Sequence, residues 1–252
     1  MPKYKDADQV VVKAGTFGFS AVKIEDLQAT EYTLVTVVVD RSGSTEPFYR
    51  EMEKTLKEIV TACLKSPRAD NLLLRVVTFA DQTEEFHGWT LLNKIDPTKY
   101  DSALTPGGMT ALYDATIDGV EATSNFAKLL RDQDYSSNGI IFVITDGCEN
   151  RSKMVHADPN NQAKYVSDAF KAALKDEHLE SLNSILIAVN AGTSIRELES
   201  FNKDAGFTQF VDIGDANPGK LAKLAQFVSK SISSQSQALG TGGPSQAIQP
   251  AF

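Results

Sequence analysis

Asp40, Ser42 and Ser44 place one acid and two hydroxyls at alternate positions of Asp40-Arg41-Ser42-Gly43-Ser44, directly after the apolar run Tyr32–Val39. Such a run reads as a buried β-strand, so the three oxygens gather in the turn at its exit. Oxygen ligands of this kind suit a hard divalent cation. Mg2+ or Mn2+ takes carboxylate, hydroxyl and water oxygens in an octahedron, and Mg2+ keeps several of its waters, so a few protein ligands suffice. Two further segments offer them. Gly107-Gly108-Met109-Thr110 presents a threonine hydroxyl after two glycines and before a helical pattern, and the apolar run Ile140–Thr145 ends in Asp146-Gly147. Taken singly, an Asp or Ser behind a strand is commonly a turn former or a helix cap. Taken together, Asp40, Ser42, Ser44, Thr110 and Asp146 point to one cation site.

The elements that must position these residues alternate along the chain. After the strand Tyr32–Val39 comes a helix over about Pro47–Leu64, with Phe48, Met52, Leu56, Ile59, Val60 and Cys63 on one face. Leu72–Phe79 is a strand, and Glu85–Leu92, with the sole tryptophan Trp89, reads as a weaker edge strand. A helix over Thr110–Leu130 leads to the strand Ile140–Thr145, and Gln162–Lys175 carries another apolar helical stripe. Ile185–Val189 and Phe207–Ile213 are further strands, Ser194 to Glu197 has the spacing of a capping box, and Pro218–Ile232 is a final helix. Strands apolar throughout, separated by amphipathic helices, predict a parallel sheet covered on both faces, a doubly wound, Rossmann-like α/β fold. In such sheets ligands sit beyond the carboxyl ends of the strands, where the candidate ligands fall.

Two end segments stand apart. Residues 1–30 hold short β-prone runs around Val10–Val12 and Phe17–Val22 with glycines at 15 and 18, read as a hairpin or an added edge strand; residues 31–232 form the domain, and 233–252, rich in Ser, Gln and Gly, read as a flexible tail.

The composition excludes several classes. With 252 residues, 42% hydrophobic and 23% charged, the chain suits one large α/β domain. A net charge of −8 argues against nucleic acid and against a membrane surface. No segment has the length of a membrane span, the first residues lack the apolar stretch of a signal peptide, and the two cysteines, Cys63 and Cys148, suit a reduced compartment, so a cytoplasmic location is expected. Cys63 reads as a small buried hydrophobe, and neither Cys148 nor His156 has companions at zinc spacing.

The ordered segments Asp-x-Ser-x-Ser, Thr and Asp resemble the metal-ion-dependent adhesion site of the von Willebrand factor A family, and the resemblance spans Tyr32–Ile232. It implies that Ser42 and Ser44 bind the ion directly, that Thr110 binds directly or through water, and that Asp40 and Asp146 act mostly through water. Neutral direct ligands leave the ion electron-poor, so its open position favours an acidic side chain from a partner protein. The resemblance further implies an interaction module, for instance beside an AAA-type ATPase or in a stress-response system. An adaptor or structural component of a phage or multi-subunit assembly is the alternative. A magnesium-dependent phosphohydrolase is a third reading, weakened because Ser42 stands where a second acid would be needed and no Gly-x-x-x-x-Gly-Lys-Ser/Thr loop occurs. Around the motif, Gly43 and the pair Gly107-Gly108 would allow tight backbone passage, Arg41 would screen the acids or sit in solvent, and Glu149 and Asn150 would be a solvated loop or a contact to the site or partner. The polar stretch 151–161 makes a long connection on the same rim.

Overall fold

Val35, Val37 and Val39 face one side of strand β3 (Glu31–Asp40) and Leu34 and Val38 the other, and every residue from Tyr32 to Asp40 is buried. Each fully buried valine contributes roughly 1.5–3 kcal/mol, so this strand is a mainstay of two cores at once. A computed structural model describes residues 9–153, 162–175, 177–243 and 247–250. His156, the Asp158 to Asn160 part of the long rim connection and the terminal Ala251-Phe252 lie outside the described residues.

Around β3 stand β1 (Gln9–Val12), β2 (Phe19–Val22), β4 (Leu72–Phe79), β5 (Thr83–Leu91), β6 (Ser136–Thr145), β7 (Leu182–Ala188) and β8 (Gln209–Asp212), in the sheet order β1-β2-β5-β4-β3-β6-β7-β8. The five strands β4, β3, β6, β7 and β8 run parallel, while β5 runs antiparallel to β4. Helices α1 (Tyr49–Leu64) and α5 (Pro218–Thr241) cover one face of this sheet; α2 (Leu112–Arg131), α3 (Gln162–Lys175) and α4 (Ile195–Ala205) cover the other. The fold is the α/β, mostly parallel, doubly wound sandwich that the apolar strands called for.

Four local readings change. Glu85–Leu92 is not an edge: β5 lies between β4 and β2, because the β1–β2 hairpin adds outside it through Ala21 opposite Trp89, and Trp89 is fully buried. The capping box at Ser194 does not form, since the short 3-10 turn Gly192–Ser194 runs straight into α4 and leaves Ser194 with helical dihedrals and no side-chain cap. The helices after the two site loops begin at Tyr49 and Leu112, two residues later than their sequence patterns start. The tail reading of 233–252 fails over residues 233–241, because α5 continues to Thr241. Its extension is held by hydrogen bonds in place of apolar contacts: Gln235 is buried and donates to Ser181 Oγ (2.9 Å) and Gly139 O (3.3 Å), and its carbonyl accepts from Asn138 Nδ2 (2.8 Å). Composition does not disclose that kind of order.

Two buried polar groups set the distance of α2 from the sheet. Arg75 on β4 is almost fully enclosed, its Nε donating to Glu85 (2.9 Å) and its Nη2 to both Asp118 oxygens (3.1 and 3.0 Å). One turn on, Thr123 Oγ1 meets Thr36 Oγ1 at 2.8 Å, and between them Gly119 packs so closely that a Cβ there would stand 3.0 Å from Val38. Without Asp118 the enclosed Arg75 would keep Glu85 as its one counter-charge, and removing one partner of a buried charge pair costs up to about 3–5 kcal/mol. Asp118→Ala is therefore expected to lose about that much stability in urea unfolding, with the sheet register retained.

The segment leading to the glycine pair is anchored by His87. Its Nε2 lies 2.6 Å from Tyr100 Oη and its Nδ1 2.9 Å from Gly88 O, so the neutral ring donates to the carbonyl and accepts from the phenol. Burial pulls the imidazole down to about 4, with Glu85 opposing and Arg75 assisting that shift. A folded-state value below the unfolded 6.5 means that the unfolded chain takes the proton first, so stability is lost as pH falls from about 6.5 to about 4. The loss amounts to about 3 kcal/mol. Unfolding curves across that window should show it for the wild type, and His87→Gln should flatten the difference.

Candidate metal centre

The register of β3 against β6 pairs Val39 with Ile144, so Asp40 and Thr145 finish the two strands side by side. Thr145 Oγ1 donates to Asp40 Oδ2 at 2.6 Å, and the backbone N–H of Ser42 donates to Asp40 Oδ1 at 2.7 Å. The Asp40 carboxylate is thereby fixed before any ligand arrives. Past it, Ser44 Oγ donates to Asp146 Oδ1 (2.9 Å), and Ser42 Oγ lies 3.1 Å from Ser44 Oγ. Because Ser44 has spent its one proton on Asp146, it can only accept from Ser42. Four of the five candidate ligands thus form one connected group across two strand ends.

Thr110 is brought beside them by its backbone. Gly107 N–H donates to Arg41 O (3.0 Å), Gly43 N–H to Gly108 O (3.1 Å) and Ala111 N–H to Ala80 O (2.8 Å), which stitches the 107–111 loop across the 41–43 turn. Gly108 makes this possible: its φ is +80°, and a Cβ would fall 2.2 Å from Asp81 Oδ2. Thr110 itself is buried at 4% exposure, with Met109 next to it 44% exposed on the rim.

The electrostatics are unusual for a resting protein. Asp40 and Asp146 are both buried, at 2% and 8% exposure, and among the described residues neither has a Lys, Arg or His within ion-pair distance. Arg41 turns away to Glu84 (2.7 Å) and Thr105 O, and Arg151 turns to Asp81 (3.2 Å). Burial pushes the Asp40 carboxyl up to about 6, against the pull of the Thr145 and Ser42 hydrogen bonds. Asp146 is raised for the same reason, with the Ser44 hydrogen bond working against it. Two enclosed carboxyls flanked by three hydroxyl residues and lacking a basic neighbour are a donor set that fits a small divalent cation. Clusters of three or more His, Cys, Asp or Glu side chains in metal-holding positions do not occur among the described residues. Two carboxyls among hydroxyls are hard oxygen donors, which a small divalent cation accepts with water filling the remaining positions.

Sequence reasoning missed Thr145, read only as the last residue of an apolar strand; a hydroxyl closing such a strand was the available signal. It also left Glu149 and Asn150 open between solvent and site. Both bond to the start of α2, from half-buried Glu149 and exposed Asn150: Asn150 Oδ1 accepts from Thr110 N–H (2.7 Å), Asn150 N–H donates to Thr110 O (3.0 Å), and Glu149 Oε2 accepts from Tyr113 N–H (2.9 Å). Cys63 is buried with its thiol pushed up to about 12, as befits a packed residue, and Cys148 is a separate free thiol whose Sγ faces Ser194 O.

A scan against protein families finds no match, and neither does a search of curated proteins. Solved structures do share the architecture. The PilB minor pilin from Streptococcus sanguinis superposes with a TM-score of 0.60 at 15% identity, over 86% of this chain and 64% of that one. Proximal thread matrix protein 1 from the mussel byssus, solved with a zinc occupied MIDAS motif, gives 0.52 at 19% identity, over 82% of this chain and 47% of its own. The chain therefore spans less than two thirds of either protein. The vWF domain of the type V pili tip protein Mfa5 from Porphyromonas gingivalis gives 0.54 at 11% identity, over 88% of this chain and 99% of that domain. At these identities the likeness is one of fold, and that fold is the von Willebrand factor A type.

Proposed function

We propose that the chain is a protein-interaction module that holds Mg2+ or Mn2+ at Asp40, Ser42, Ser44, Thr110 and Asp146 and docks an acidic side chain of a partner protein there. The observation that carries this reading is the pair of buried carboxyls, Asp40 and Asp146, joined through Ser42 and Ser44 with no basic side chain to neutralise them among the described residues. A bound divalent cation would supply the missing positive charge and an open coordination position that takes a carboxylate. Asp40, held by Thr145 and Ser42, sets the charge at the base of the site. Ser42 and Ser44 offer neutral oxygens 3.1 Å apart, and direct ligation through them, with the acids acting through water, would leave the ion electron-poor toward a partner's carboxylate. An acidic protein, at −8, can then bind an acidic partner.

The solved relatives bear names of a pilin, a byssal thread protein and a pilus tip, which supports the adaptor or assembly form of this reading over an association with an AAA-type ATPase. A cytoplasmic site of action stays part of the proposal on the strength of two unpaired cysteines. Isothermal calorimetry on the full chain should find one Mg2+ or Mn2+ site. Ser42→Ala with Ser44→Ala should abolish it while circular dichroism stays that of the wild type; undiminished affinity in that double variant would refute the assignment. Partner capture in parallel with wild type, Asp146→Ala and wild type plus chelator should yield a protein retained only in the first. A partner retained in all three would show docking that needs no ion.

A further inference from the structure

The first turn of α2 has no cap of its own. Its N-cap position is Ala111, with no side chain able to accept a hydrogen bond, although alanine is among the poorest residues there. The amides at this helix start are met from the segment after β6. Asn150 Oδ1 takes Thr110 N–H (2.7 Å), Glu149 Oε2 takes Tyr113 N–H (2.9 Å) and Ser152 Oγ takes Asp114 N–H (3.0 Å). The grip is reinforced in both directions. Ser152 Oγ donates to Glu149 Oε2 (2.6 Å), Arg151 N–H donates to Glu149 Oε1 (2.6 Å), Asn150 N–H returns a bond to Thr110 O (3.0 Å) and Lys153 N–H donates to Asp114 Oδ2 (2.8 Å). Glu149 also brings a negative charge to the positive end of the helix dipole.

A local Ser or Asp at the N-cap position would have satisfied the helix equally well. Capping from a distance does something more, because the same segment begins at Asp146, three residues before Glu149. It ties the loop that carries Thr110 to the strand end that carries Asp146.

We propose that Glu149, Asn150 and Ser152 are positioning residues of the ion site, forming a clamp that sets Thr110 against Asp146 and so sets the affinity for the cation. The inference rests on the ion-binding reading above. Asn150 contributes the bond nearest to a ligand, since it holds the amide of Thr110 itself. Its acceptor is an amide oxygen that Asp would reproduce and Ala would not.

The test is Mn2+ affinity of the full chain, read by calorimetry and by the electron paramagnetic resonance signal of free Mn2+. Loss of a residue that orients a metal ligand typically costs 10- to 100-fold in affinity, so Asn150→Ala should weaken Mn2+ at least about tenfold and Asn150→Asp should restore most of it. Val228→Ala, a core change on α5 that destabilises without touching the clamp, should leave affinity unchanged; this separates positioning from general loosening. Should Asn150→Ala fail to fold, Ser152→Ala, which removes both bonds of that hydroxyl, and Glu149→Gln, which removes acceptor capacity and the charge at the helix start, should each weaken Mn2+ several-fold. The outcomes are distinguishable. Wild-type protein that binds no Mn2+ overturns the ion site itself. Binding that is lost in Ser42→Ala with Ser44→Ala, yet is undiminished in Asn150→Ala or in both substitute variants, overturns the clamp alone.

Discussion

Everything at the rim depends on the parallel register of β3 against β6. Nine paired positions run from Glu31 opposite Ser136 to Val39 opposite Ile144, and that alignment is what delivers Asp40 to Thr145 and, beyond the strand end, Ser44 to Asp146. Side chains alternate with period two, so a one-residue slip would turn Val35, Val37 and Val39 from the α1/α5 core toward the α2/α3 core and carry Asp40 to the wrong side. The two hydrophobic cores therefore hold the register, and the register holds the oxygens. The site inherits its geometry from valine and isoleucine packing several residues below it.

The third segment reaches the site by another route. No strand pairing sets Thr110; its loop follows a long connection from β5 and precedes α2. What places it is a set of backbone bonds across Gly43 and Gly108, the clamp from 149–153, and α2 itself, locked to the sheet by Arg75 with Asp118 and by the close approach of Gly119 to Val38. Buried ion pairs add little net stability, but they are sensitive to geometry. Arg75 thus acts as a spacer that fixes where the helix, and the threonine loop at its start, can lie. The hairpin at the N-terminus adds to this frame: the loop at Thr16 bonds to Glu121 on α2, and β2 buries the outer side of β5.

Much of this was legible along the chain because it is written in repeating patterns. Tyr32–Val39, Leu72–Phe79 and Ile140–Thr145 announce buried strands by unbroken apolar runs, and the stripe Phe48, Met52, Leu56, Ile59, Val60 and Cys63 announces α1; all lie buried where those patterns put them. Less legible were parts whose order depends on hydrogen bonds between distant residues. Ser233 to Thr241 looked like tail because composition counts apolar surface, whereas Gln235 and Ser236 earn their burial through partners on β6 and at Arg68. Glu85–Leu92 looked like an edge because its alternation is weak, and only the docking of β2 makes it interior.

By itself the sequence determined the fold class, the places where strands end, four oxygen-bearing residues at or just past those ends and a fifth, Thr110, ahead of a helix, because each is a local property of residue type and period. The tertiary structure decided which of those residues share a hydrogen-bonded group, that both acids are buried without a basic side chain in ion-pair reach among the described residues, and that Asn150 and Glu149 bond to the start of α2. Those are matters of distance between residues some forty to one hundred positions apart. They follow from how the sheet register and the α2 packing bring separate loops together, which no single stretch of chain can specify.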